Sequence, residues 1–183
     1  MTKLQPALFL DRDGVINENR ANYVRSWADV ALYPQALRAL ALARNLPYKI
    51  ILVTNQSVVG RGLISLAAAQ AINGWIVTAV AQQGGHIDAA YLCPHAPEDQ
   101  CDCRKPQPGL LLQAAREHGI DIGRSLMIGD ALTDVAAGRA AGVAQAILLR
   151  TGRGQAQLQL PQAASLAPLT VYDDLYQAIQ TLI

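Results

Sequence analysis

The sequence predicts an α/β protein of three layers, with helices on both faces of a doubly wound, mostly parallel sheet. Three observations carry this expectation. Short apolar runs alternate with helical patterns along the chain, as in successive βαβ units. Polar clusters stand directly after those apolar runs, where open α/β sheets gather their ligands. A length of 183 residues with 51% apolar composition suits one domain, residues 1–183, with room for a real core.

The elements follow in order. Residues 7–10 form an apolar run that stops at Asp11 and read as a buried strand. The next stretch is polar and lacks a period until Pro34, which suits the first turn of a helix over 34–44. A β-rich run over 49–53 ends at Thr54, and a Gly-containing loop spans 55–63. Ser65 is placed to cap a long helix ending near Gly84-Gly85. Further strands are expected over 87–92, 125–128 and 144–149, and helices over 109–118 and 132–141. Residues 93–108 read as a Pro- and Cys-rich loop, and 151–168, polar and Gln-rich, as surface loop. Val171 lies on a possible last short strand, and Asp173 is the expected cap of a final helix to Ile183.

Charge and composition exclude several classes of function. A net charge of +1 with scattered charges argues against a nucleic-acid binder, which needs a basic face. No segment approaches the ~20 apolar residues of a membrane span. The first residues lack a long apolar run with a small-residue cleavage site, so a cytoplasmic protein is expected. No interface is legible, and a monomer is the default. The three cysteines, Cys93, Cys101 and Cys103, are too few and too clustered for a disulfide framework.

The polar clusters differ in chemistry. The first strand ends in Asp11-Arg12-Asp13-Gly14, the second in Thr54-Asn55-Gln56-Ser57, and the third runs through Cys93-Pro94-His95 to Arg104-Lys105. The fourth ends in Gly129-Asp130. Asp11 and Asp13 are two apart and, in extended chain, project the same way. Two such carboxylates need a cation or a shared proton, and hard oxygen ligands suit Mg²⁺. An Asp-x-Asp-Gly after a strand also suits an ordinary acidic turn. Thr54 offers a hydroxyl, Asn55 and Gln56 backbone N–H groups, and Lys105 a point charge, as a transferring phosphoryl group requires. Read singly, Thr54 is also a strand-end cap, Lys105 a solvated lysine and Asp130 a helix cap. Cys93-x-His95 and Cys101-x-Cys103 make a Cys₃His set, the mark of structural Zn²⁺, in a loop inserted at 93–105. Such an ion would preorganise Arg104 and Lys105, which follow Cys103. A redox role for the Cys101-x-Cys103 pair leaves His95 unexplained. His86 and His118 read as ordinary surface residues.

The segment Phe9-Leu10-Asp11-Arg12-Asp13-Gly14-Val15-Ile16-Asn17 resembles motif I of the haloacid dehalogenase-like superfamily, whose fold is Rossmann-like. Thr54 matches its motif II, Lys105 its motif III, and Gly129-Asp130-Ala131-Leu132-Thr133-Asp134 its motif IV. The resemblance implies that Asp11 is a covalent nucleophile, that Asp13 is the acid and base, and that Thr54 and Lys105 bind the phosphate. It implies Mg²⁺ held by Asp11, Asp13 and Asp130, with Asp134 supporting the site and Arg12 structural. About twenty residues separate motif I from the next helix, which leaves no room for a large cap domain.

The metal loop, with Asn55-Gln56-Ser57, Gly60-Arg61-Gly62 and Asn22-Tyr23-Val24, is similar to the heptose-bisphosphate phosphatase branch of that superfamily. This implies a phosphorylated sugar as substrate and removal of its 7-phosphate. Arg104 would read the distal part of the substrate, and Asn19, Arg20, Asn22 and Tyr23 would line the sugar side. Asn55, Gln56 and Ser57 join them. Histidinol-phosphate phosphatases share motif I and a zinc loop and are the nearest alternative. A DNA 3′-phosphatase and a non-catalytic, metal-stabilised binding module are further ones.

Overall fold

The computed structural model describes residues 4–183. Six strands, Ala7–Leu10 (β1), Lys49–Asn55 (β2), Ala89–Cys93 (β3), Leu126–Gly129 (β4), Gln145–Leu149 (β5) and Thr170–Tyr172 (β6), form one sheet. The order is β3-β2-β1-β4-β5-β6, and every neighbouring pair is parallel. The sheet is therefore doubly wound about β1, and its crevice opens between β1 and β4, beyond their carboxyl ends.

Side-chain alternation sorts the strands onto two helical layers. Leu8, Leu10, Ile50, Leu52, Ile128, Ile147 and Leu149 face one side. There they meet Pro34–Ala43 (α1), Leu66–Gln82 (α3, following the one-turn helix Ser57–Gly60, α2) and Leu175–Gln180 (α8). Ala7, Phe9, Ile51, Val53, Met127 and Leu148 face the other side, against Gly109–His118 (α4) and Leu132–Ala141 (α5). Strands covered on both faces need apolar residues at every position, and all of β1 is buried. Register places Leu10 beside Leu52 and Ile128, so the residue after Leu10 emerges at the centre of the crevice.

Five local expectations are corrected. β2 continues to Asn55, because Asn55 still pairs with Cys93 of β3. The predicted loop after it contains α2. The segment expected as irregular surface loop folds into Gly154–Gln157 (α6) and Pro161–Ser165 (α7), with proline opening the second. The last helix is capped by Asp174, not Asp173: the Asp174 carboxylate accepts from Gln177 N at 2.9 Å, and the helix ends at Gln180. His86 and His118 are half-buried rather than free on the surface, His86 lying 3.4 Å from Asp88 and His118 edge-on to Tyr91. Among the described residues no helix is long and apolar enough to cross a membrane.

Phe9 is fully buried at the middle of the central strand, so truncation leaves a cavity that neither layer can close. Phe9→Ala is expected to cost about 3–5 kcal/mol of unfolding free energy, read from urea titration.

Candidate active site

Lys105 closes the floor of the cleft. Its ammonium donates to Asp11 Oδ1 at 2.8 Å and to the Val53 carbonyl at 2.8 Å, and lies 2.6 Å from Asp134 Oδ1. All three ammonium protons are thereby used, and all three residues are buried. Burial alone would lower the Lys105 pKa, but the Asp11 and Asp134 carboxylates overcome it and raise it. Burial pushes Asp11 from an ordinary 3.8 up to about 6, opposed by Lys105 and reinforced by Asp134 and Asp13. Oxygens of Asp11, Asp130 and Asp134 lie within 4.8 Å of one another, close enough to share one cation.

Asp130 is wedged between two backbones. Its Oδ2 accepts from Asn19 Nδ2 at 2.6 Å and from Arg153 N at 2.8 Å. Gly14 (φ 88°) and Gly152 (φ 58°) flank that oxygen, and a Cβ on either would lie 2.1 or 2.3 Å from it. The Thr151 hydroxyl, donating to Gly14 O at 2.6 Å, fastens the two glycine turns together. Oδ1 meets only Arg153 Nη2, at 3.4 Å. One oxygen is thus anchored and the other left available, as a metal-binding carboxylate requires. Burial and Asp11 raise the Asp130 pKa, and Arg153 opposes them.

Asp13 departs from the expected arrangement. Its carboxylate stands outside the acidic cluster, which Asp11, Asp130 and Asp134 form, whereas the expected Mg²⁺ set is Asp11, Asp13 and Asp130. The cause is Arg12, fully buried, whose guanidinium grips Asp13 through Nε at 3.2 Å and Nη2 at 2.9 Å while Nη1 is held by Asn73 on α3 at 3.0 Å. Asn17 and Gln56 also donate to Asp13, at 2.8 and 2.9 Å. Burial would raise the Asp13 pKa, but Arg12 and these donors hold it below the usual carboxylate range.

The second strand end is also busier than expected. The Thr54 hydroxyl is buried and accepts from Gln56 Nε2 at 2.9 Å. The Gln56 N–H, expected to point at phosphate, donates to Cys93 O at 2.8 Å. The Asn55 amide clamps the Lys105 peptide at both ends, donating to its carbonyl at 2.9 Å and accepting its N–H at 3.0 Å. Asn55 and Asn19 therefore position other site residues.

Above this floor lies a cleft of about 590 Å³, lined by Asp11, Asp13, Asn19, Arg20, Tyr23, Asn55, Gln56, Ser57, Arg104, Lys105, Asp134 and Arg153 among others. Asn22 is not among the lining residues: it is exposed, and its carbonyl accepts from Arg25 Nε at 3.0 Å. Tyr23 enters the wall with φ 64°, a strained left-handed conformation for an aromatic residue. Thr54 lies beneath the cleft.

On one side of the cleft the sulfurs of Cys93, Cys101 and Cys103 stand 3.1–3.5 Å apart, with His95 Nδ1 3.3 Å from Cys103 and 3.5 Å from Cys93. These separations are too long for a disulfide, and all three cysteines are free. They approach the ~3.8 Å sulfur spacing of a tetrahedral Zn²⁺ site. Burial raises the Cys93 and Cys103 thiols, whereas at Cys101 bonds from Cys103 and the Arg104 N–H outweigh burial and lower it. Arg104 leaves this cluster with Nη1 donating to His95 O at 3.1 Å.

The chain is similar to known proteins over most of its length. A family model described as HAD-hydrolase-like matches residues 102–178. The chain is 35% identical to D-glycero-beta-D-manno-heptose-1,7-bisphosphate 7-phosphatase of Pseudomonas aeruginosa, over 96% of this chain and 97% of that protein. It is 40% identical to the enzyme of the same name from Photorhabdus laumondii, over 91% of each. The chain belongs to the haloacid dehalogenase-like phosphatases. It is thereby a phosphoric monoester hydrolase. A crystal structure of the D,D-heptose 1,7-bisphosphate phosphatase of B. bronchiseptica, complexed with magnesium and phosphate, superposes with a TM-score of 0.87 at 36% identity, covering 97% of each chain.

One cleft residue of this haloacid dehalogenase-like phosphatase escapes the sequence reading. Arg153 follows β5, whose end joins the same sheet edge as the others, yet Thr151-Gly152-Arg153-Gly154 reads as polar surface loop. The signal was positional: a glycine-flanked arginine directly after a buried parallel strand. The Arg12–Asn73 bond, across 61 positions, has no comparable signal.

The raised carboxylates give this phosphatase a pH-dependent metal response. Asp11 holds its proton more tightly folded than unfolded, so its contribution to stability is full below pH 3.8 and lost as pH rises through about 6. A divalent cation replaces that proton and restores the stability at higher pH. The rise in Tm on adding Mg²⁺ is expected to be several degrees at pH 7.5 and to vanish near pH 5, by differential scanning fluorimetry.

Proposed function

We propose that this chain removes the 7-phosphate of D-glycero-D-manno-heptose 1,7-bisphosphate through an aspartyl-phosphate at Asp11. The observation that carries the reading is a buried Asp11 paired to Lys105 at the floor of an open, arginine-walled cleft. Relatives that align over nearly the whole chain and carry this activity in their names support it.

An oxygen of Asp11 attacks phosphorus, and the bond from phosphorus to the sugar oxygen breaks. Asp13 supplies the proton that the leaving alkoxide takes up. The arriving phosphate dianion raises its proton affinity, and the fan of donors from Arg12, Asn17 and Gln56 fixes where it points. Asp13 then accepts a proton from water, water attacks phosphorus, and Asp11 is released with inorganic phosphate. Lys105, with its three protons already placed, lends positive charge beneath the phosphoryl group, and the Thr54 hydroxyl, which accepts from Gln56, keeps its own proton to donate. Mg²⁺, for which Asp11 and Asp130 offer oxygens, supplies positive charge to the phosphoryl group and keeps Asp11 ionised. The restraint on Asp130 Oδ2 leaves Oδ1 for that ion.

Cys93, His95, Cys101 and Cys103 are assigned a Zn²⁺ ion with a positioning role. The two residues after Cys103 are Arg104, which faces the distal part of the substrate, and Lys105. A guanidinium grips phosphate with two parallel hydrogen bonds, which suits Arg104 to a second phosphate. Free thiols of this kind persist in a reducing compartment, which favours the cytoplasm.

Asp11→Asn is expected to lower phosphate release from the bisphosphate by at least ~10³-fold with unchanged circular dichroism. In the wild type, heptose 1,7-bisphosphate is expected to turn over at least tenfold better than histidinol phosphate; the reverse preference would overturn the assignment. Stripping zinc with a chelator, verified by metal analysis, is expected to raise KM and lower kcat together, since it frees the loop carrying both cations. Unchanged rates would sink the positioning role.

A further inference from the structure

Arg153 has a fixed backbone and a loosely held side chain. Its N–H is anchored on Asp130 Oδ2 at 2.8 Å. Its guanidinium reaches the same carboxylate only at 3.4 Å, from Nε to Oδ2 and from Nη2 to Oδ1, and its side chain is 58% exposed. At that length and exposure the pairing is weak. Other cations near the cleft are more committed. Arg12 and Lys105 are buried with carboxylates, and Arg20 is held by Asp29 O at 2.9 Å and faces Glu18 at 3.6 Å.

Charge decides what Arg153 is free to do. The floor gathers the carboxylates of Asp11, Asp13, Asp130 and Asp134 against the cations of Arg12 and Lys105. A divalent cation brings that floor to neutrality and claims Asp130 Oδ1, the oxygen that Arg153 Nη2 faces. Two phosphates then enter a cleft whose floor has no positive charge to spare, so the walls must supply it. Arg153 stands after β5 and Arg104 after β3, on opposite sides of central β1 in the sheet order. Both line the cleft.

We propose that Arg153 is a specificity-determining residue that leaves Asp130 when the divalent cation takes Oδ1 and grips the substrate phosphate that is not transferred, from the wall facing Arg104. The proposal rests on the sugar-bisphosphate reading and adds a second guanidinium to it. A planar fork with five donors can close on a phosphate without giving up its backbone anchor.

The test uses Arg153→Gln, with Arg150→Gln as a control from the same strand end whose side chain pairs with Asp173 at 3.2 Å. Turnover of heptose 1,7-bisphosphate is compared with that of heptose 7-phosphate, and the Mg²⁺ dependence of Tm is measured without substrate. In Arg153→Gln the ratio of kcat/KM, bisphosphate over monophosphate, is expected to fall by roughly tenfold or more, the loss of a charge-assisted pair, while Arg150→Gln stays within about twofold. The Mg²⁺ concentration giving half the Tm shift is expected to drop several-fold in Arg153→Gln, because a competitor for Asp130 is gone. An equal loss on both substrates, or none, overturns the grip, and an unchanged Mg²⁺ midpoint overturns the release from Asp130. If the wild type shows no preference for the bisphosphate, the substrate reading fails and the grip with it, while the Mg²⁺ midpoint still decides the release.

Discussion

The site depends on where one ammonium group is buried. Lys105 stands between Asp11 and Asp134 beneath the cleft, with the Val53 carbonyl as its third acceptor. Three charges removed from water are costly unless paired and hydrogen-bonded; Lys105 places all three protons, Asp134 uses both oxygens, and Asp11 is paired through Oδ1. Removing the lysine would leave two like charges facing each other without solvent. The same contact joins the Cys/His loop, the carboxyl end of β1 and the first turn of α5, so the loop cannot drift without unpairing Asp11. Asn55 reinforces this join by holding the Lys105 peptide at both ends. Electrostatic preorganisation and loop attachment are thus one set of bonds.

Asp13 shows how far such preparation extends from the cleft. Its carboxylate is aimed by Arg12, and Arg12 by Asn73 in the middle of α3. A buried arginine with a polar partner on a neighbouring helix is expensive, and here it separates the two aspartates of one short segment into different tasks. Asp11 is raised by burial and like charge; Asp13 is lowered by its donors. That order is opposite to the one a nucleophile and a proton donor need, so a cation beside Asp11 and phosphate beside Asp13 would have to reverse it.

Most of the architecture was legible because it is written in period and position. Buried strands flanked by helices announce themselves by apolar runs, and β1, α4 and α5 begin and end where sequence places them. Legibility failed where a bond from elsewhere decides the outcome. The Asp13 carboxylate looks like part of the acidic cluster until a fully buried Arg12 turns it aside. Asn19 lines the cleft, but its bond to Asp130 has no signal in the sequence, and the Gln56 N–H looks like a phosphate donor until Cys93 claims it. Residues 151–168 read as loop because two helices of one turn or so have too few residues to show a period. Arg153 was hidden by that reading although it obeys the strand-end rule.

The positions of Asp11, Lys105, Asp130 and Arg153 have a consequence for biogenesis. They come from separate crossovers of a sheet whose central strand is made first and whose partner β4 arrives more than a hundred residues later. Parallel pairings of such separation are late and slow events in folding. A chain still emerging from the ribosome, released early or clipped after β3 carries Asp11 and lacks Asp130, the residue wedged between Gly14 and Gly152. No fragment of that kind can assemble the acidic cluster, so phosphate chemistry and metal capture switch on together, once the crossover to β4 has closed. Hydrolysis by this protein is therefore a report that β4 has docked on β1.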